Sequence, residues 1–137
     1  MIIKLLEADR TALAAALRGL WDDGAGPCTL EFYDGAIVAG PATAVTTQVK
    51  LGTLTCSDPI GSEAAGALTF GAITQDSAAD ASGDASWVRL LDAAGVPRAV
   101  FDVTNAAGTG VVKLNTVAIV AGGPILISSF VVTMGGA

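Results

Sequence analysis

Three sets of side chains in this 137-residue chain have the types that chemistry needs. The first is carboxylates. Asp22 and Asp23 form the one adjacent acidic pair, while Glu31 and Asp102 fall in strand-like segments that could lie near each other. Glycoside hydrolysis needs two carboxyl groups on facing strands, one an acid and the other a base or nucleophile. The second set is Asp76, Asp80 and Asp84, spaced four apart among small residues. An EF-hand loop holds Ca²⁺ with oxygens at alternate positions and a closing Glu, so this spacing fits a solvated loop better. The third set is Cys28 and Cys56, neither in a Cys-x-x-Cys pair. Each sits at an apolar phase and reads as a small buried hydrophobe. A Cys28–Cys56 bridge is the alternative if both face one core. The chain has no His, which removes His bases, Ser-His-Asp triads and His-ligated metals. Phosphate-binding glycine loops and a Gly-x-Ser-x-Gly elbow are also missing. The expectation is a non-enzymatic protein with no catalytic, cofactor or metal site.

Composition narrows the class further. Net charge is −6, and the seven Lys and Arg are scattered rather than clustered. Nucleic-acid binding wants a basic patch, so no nucleic-acid partner is expected. Hydrophobic residues make up 52% and charged residues 15%, with a mean hydropathy of +0.62. Much of that is Ala, which suits a compact Ala-rich domain. It suits better a subunit that buries surface in an assembly. The length fits one domain, residues 1–137. The first ten residues acquire acidic groups too early for a secretory signal, which implies a protein made and kept in the cytoplasm.

The elements follow from periodicity. Residues 1–8 read as an arm. Asp9 can cap a helix over 9–22, with Leu13, Leu17, Leu20 and Trp21 on one face and Gly24 as its stop. From Cys28 the period becomes two, and strands are expected through residues 28–134. The first is Cys28–Tyr33, ended by Asp34-Gly35. A loop over 35–44 leads to a second strand at 45–56. There Gly52 marks a slip of phase that suggests a β-bulge. Residues 58–65 read as a loop. Strands follow at 68–75, 85–91 and 99–103.

The last stretch, Leu114–Met134, is the most apolar and has no formal charge over twenty-one residues. Two Val- and Ile-rich arms flank Gly122-Gly123-Pro124, which predicts a hairpin. The arms are apolar on nearly every residue, as in strands covered on both faces. A membrane span of that length fails on the central Pro and the strand-forming composition. No membrane partner is expected. The whole reads as mainly β, an antiparallel β-sandwich, jelly-roll-like, with one N-terminal α-helix.

Several phrases carry a resemblance: Leu30-Glu-Phe-Tyr-Asp-Gly35, Leu68-Thr-Phe-Gly-Ala-Ile-Thr-Gln-Asp-Ser77, Ala85-Ser-Trp-Val-Arg-Leu90, and Leu114 to Pro124 with Ser128 to Thr133. Together they resemble a family of small virion structural proteins of tailed bacteriophages and prophages, over nearly the whole chain. The resemblance implies a virion component and transfers no catalytic residues. Among virion roles the expectation is a head-decoration or cement protein. It would bind the major capsid protein on the outer capsid, with a homo-oligomer, a trimer favoured, as its state. The alternatives are a tail, baseplate or fibre-associated protein, and a receptor- or sugar-binding module. The last should expose an aromatic cluster, whereas Trp21 and Trp87 both lie in apolar patterns.

Overall fold

The computed structural model describes residues 2–137. It contains one helix, α1 (Glu7–Trp21), then β1 (Thr29–Tyr33), β2 (Lys50–Thr55), β3 (Gly61–Ala64), β4 (Ala67–Phe70) and β5 (Gly83–Asp84). β6 (Trp87–Leu91), β7 (Pro97–Asn105), β8 (Val112–Leu114), β9 (Ala118–Ile119) and β10 (Ile127–Thr133) complete it. Eight strands form one sheet in the order β2-β1-β6-β7-β8-β10-β4-β3, and β5 pairs with β9. The fold is thus mainly β with an N-terminal helix, as the periodicities predict. The sheet curls over, sandwich-like, around a core that includes Leu30, Phe32, Leu54, Leu68, Leu90 and Leu114. It is mixed rather than wholly antiparallel, because β7 and β8 run parallel, Val103 opposite Val112.

One side of α1 locks onto the β3–β4 hairpin. Ala14 and Trp21 are buried, and Leu17 packs against the core. The Gly66 amide donates to the Thr11 hydroxyl at 2.9 Å. Arg18 grips Glu63 through two hydrogen bonds of 2.7 and 3.1 Å. This corrects the expected stripe: Leu13 and Leu20 are 49% and 56% exposed. Leucine or alanine occurs on every side of the helix, so periodicity leaves its rotation open, and the polar anchors Thr11 and Arg18 decide it. The cap is corrected too. Leu6 is the N-cap, without a side-chain hydrogen bond, and Asp9 lies inside the first turn, where a carboxylate still favours the helix dipole. At the other end Gly24 has φ +104°, and a Cβ there would meet the Ala93 Cβ at 3.0 Å. Close approach to the β6–β7 turn requires glycine at this stop.

The bulge expected at Gly52 is present. Phe32 faces Gly52 and Tyr33 faces Lys50, leaving Leu51 as the extra residue. A Cβ at Gly52 would lie 2.6 Å from Ile125 Cδ1, so the bare glycine lets the chain's last third seat against β2. The second strand is shorter than expected and starts at Lys50. Residues 34–49 instead cross the outer face of β1 and β6. The Val49 amide donates to the Asp34 carboxylate at 2.6 Å, and Gln48 donates to Ala36 O at 2.7 Å. The expected loop over 58–65 holds β3. Its residues, Gly-Ser-Glu-Ala, are half-buried or exposed and show no apolar alternation in sequence. Positive φ at Ala65 and Gly66 (50° and 75°) makes the tight hairpin turn into β4.

The uncharged C-terminal stretch folds back antiparallel, but not as one long hairpin. β8 pairs with β10, Leu114 opposite Ile127, and residues between them leave the ladder. There Ile119 pairs with Gly83, and the Ile125 amide donates to Asp76 O at 2.8 Å. Residues 76–84 are therefore partly docked rather than a free solvated loop, with Ala79 4% exposed. β10 lies inside the sheet order, between β8 and β4. Its two faces are not both covered within the chain: Val131 is 41% exposed, and Ser128 and Ser129 are exposed too. Of the expected arm, Met1 lies outside the described residues. Leu5 donates to Gly136 O at 2.8 Å and Lys4 to Ala137 O at 2.8 Å, so the arm lies against the chain's other end.

Candidate functional site

The carboxylates that could have done acid–base work are committed elsewhere. Asp22 accepts the Ile60 amide at 2.9 Å and lies 3.7 Å from Arg18. Asp23 accepts Arg98 at 2.9 Å, and the same guanidinium reaches Asp92 at 2.7 Å. These bonds staple the helix exit to the β6–β7 turn. Glu31 and Asp102 share a face, but their cross-strand partners are Arg89 and Trp87. They are thus two strands and two residues apart. Strand spacing and rise put their Cα atoms about 12 Å apart. Glu31 accepts the Tyr33 hydroxyl at 2.6 Å, and Asp102 accepts the Val111 amide at 2.9 Å. Neither faces a cleft with the other.

Asp76, Asp80 and Asp84 do not converge. Asp76 caps backbone, accepting the Thr53 and Ala78 amides at 3.1 and 3.0 Å. Among the described residues, no group of three or more His, Cys, Asp or Glu is placed to hold a metal ion. Cys28 and Cys56 are buried free thiols, with Cys56 N donating to Cys28 O at 3.0 Å. A hydrogen bond to Cys28, then burial, pushes the Cys56 thiol up. That makes it a poor nucleophile, as a buried structural Cys should be.

Asp92 is 2% exposed and accepts the Val96 and Ala94 amides as well as Arg98. The Val96 amide is the largest influence holding its carboxyl below the usual range, ahead of Arg98 and the Ala94 amide, while burial opposes. A depressed folded value means its stabilisation is full at neutral pH and is lost as pH falls below about 4, through the folded value. Asp92→Asn is accordingly expected to lower the thermal midpoint at neutral pH, with a gap to wild type that closes in acid. A gap constant across the acid titration would contradict this role.

The outer face of β1 and β6 carries one aromatic group. Tyr33 and Trp87 stack at 4.4 Å and 11°, and Trp87 Nε1 donates to Asp34 O at 3.1 Å. Burial, then the bond to Glu31, pushes Tyr33 up to about 12. Arg89 lies 5.5 Å from the Trp87 ring and donates to Thr43 O at 2.6 Å. This is a closed structural cluster under the 34–49 loop. Trp21, Phe70, Phe101 and Phe130 make a second one inside the core. Neither tryptophan is offered to a ligand.

What remains open is apolar surface. On the solvent side of α1 lie Ala12, Leu13, Ala16, Gly19 and Leu20, all exposed and apolar, with the exposed Asp9 on the same side in the first turn. Leu6 is 72% exposed and continues the seven-residue spacing Leu6, Leu13, Leu20. A Cβ added at Gly19 would meet nothing within 4 Å, so this face is open to a close neighbour. Ile2 and Ile3 are 86% and 55% exposed just before it. Sequence reasoning placed Leu13 and Leu20 in the core and so missed this face. The signal was present: Thr11 and Arg18 share one side of the helix, and the side opposite is apolar beyond Asp9 in the first turn. A shallow hollow of about 180 Å³ beside β9, lined by residues including Ala118, Val120, Pro124 and Leu126, is uncharged.

No known family model matches the chain. No curated protein and no solved structure is significantly similar to it. Among the described residues, no helix is long and apolar enough to cross a membrane.

Proposed function

We propose that the protein is a non-enzymatic structural component of a tailed-phage virion, a capsid decoration (cement) protein that binds the major capsid protein. The observation that carries this reading is the exposed helix face from Leu6 to Leu20, apolar but for Asp9 in the first turn, with Ala12, Ala16 and Gly19 beside the leucines. A monomer in water gains nothing from such a face, whereas a subunit seated on a larger surface buries it. The commitment of the candidate carboxylates to backbone, Arg and Tyr33 partners supports a binding role over a catalytic one. The phage assignment rests on the resemblance in the strand and turn phrases. In this reading three copies associate around a symmetry axis, and the helices meet the shell.

Localisation tests the proposal. Purified particles decorated with gold-labelled antibody to this chain should carry label over the head. Label confined to the tail would favour the tail, baseplate or fibre reading, and unlabelled particles would remove the virion role.

A further inference from the structure

The β4–β10 ladder stops halfway. It pairs Thr133 with Ala67, Val132 with Leu68 and Val131 with Thr69. The same register sets Phe130 against Phe70, and those rings stack at 3.7 Å and 5°. Continued further, it would set Ser128 opposite Ala72 and Ile127 opposite Ile73, and those pairs do not form. The chain peels away after Phe70 because other partners claim it. The Gly71 amide donates to Ile60 O at 2.9 Å. Thr74 then exchanges two hydrogen bonds with Thr55, at 2.8 and 3.3 Å, along the edge of β2. One segment thus joins the two ends of the curled sheet and leaves a gap beside β10.

That gap is a cleft of about 240 Å³ lined by residues 70–73 and 127–130. None of its side chains is charged, and those at its mouth are small: Gly71, Ala72, Ser128 and Ser129. The N–H and C=O groups of Ala72 and Ile73 make no hydrogen bond to any described residue. Unpaired main-chain groups on an extended segment are a template for another strand.

We propose that this open seam receives an extended segment of a partner protein, which adds as a strand between residues 71–73 and 127–129. An extended backbone presents donors and acceptors along the strand that can pair with the unfilled groups. With no charge and little side-chain relief in the seam, recognition is by main chain, and an uncharged segment of β-forming residues fits it. The inference stands on the seam alone and does not depend on the helix face or on a virion location.

A blocked peptide, acetyl-Thr-Val-Thr-Val-Thr-Val-amide, serves as the probe, titrated to millimolar concentration into the ¹⁵N-labelled whole chain. The expected result is saturable shifts confined to the amides of residues 71–73 and 127–130. Hydrogen exchange at Ala72 and Ile73 should be fast in the free protein and slowed by the peptide. A counterpart N-methylated at one residue, chosen to block one donor that faces the seam, should bind about tenfold more weakly, the cost of a lost main-chain hydrogen bond. Ala72→Pro, which deletes one donor, should weaken the unmodified peptide to a similar degree. Should that variant misfold, the methylated peptide tests the same point on the unaltered chain. No shift at the seam, equal binding of the methylated peptide, or slow exchange at Ala72 and Ile73 in the free protein would each overturn the proposal.

Discussion

Replacing Trp87 by Ala is expected to lower the free energy of unfolding by about 4 kcal/mol, the middle of the range for truncating a buried aromatic. Trp87 is fully buried on the outer side of β6. Its loss would strand three neighbours at once. Tyr33 would lose its stacking partner at 4.4 Å. Asp34 O would lose its indole donor, and with it part of the turn that starts the 34–49 loop. Arg89, already without an ion-pair partner among the described residues, would lose the ring at 5.5 Å. Domains of this size hold only about 5–15 kcal/mol in all, so the change should be plain in urea denaturation. Trp87→Phe keeps a ring and loses the hydrogen bond, and should cost about 1–2 kcal/mol. An alanine variant within 1 kcal/mol of wild type, below the usual range for such truncations, would mean that the 34–49 loop does not close over this face.

The second large effect is on binding. Leu13→Asp with Leu20→Asp is expected to reduce association with the particle by about a hundredfold or more, since two carboxylates would be buried without partners in the contact. Folding should be nearly untouched, because exposed substitutions usually stay within about 0.5 kcal/mol. Both side chains are about half exposed, and neither belongs to the buried core. Unchanged particle occupancy with a normal thermal midpoint would remove the helix face from the account. Lost occupancy with a collapsed midpoint would instead place these leucines in the core.

The strands with clear alternation were legible, and so was the phase slip at Gly52. Leu30 and Phe32 point inward as their spacing requires. Three features were not legible, each for a physical reason. The rotation of α1 was hidden because leucine and alanine occur on all its sides. It is set by Thr11 and Arg18, whose partners Gly66 and Glu63 lie more than forty residues away. β3 was hidden because Gly-Ser-Glu-Ala has no apolar alternation, and only the turn after it makes it a strand. The long hairpin was overread because an uncharged Val- and Ile-rich run is compatible with any extended pairing. Here its middle pairs with the 76–84 segment instead, Ile119 against Gly83. The candidate surface was visible as a property, few charges and much apolar area, but not as a place.

Counting this polypeptide in purified, intact particles by quantitative mass spectrometry against the major capsid protein is the most direct measurement. A decoration protein repeats with the shell lattice, so the expected number is on the order of hundreds of copies per particle. A handful of copies, or none, would contradict a cement role.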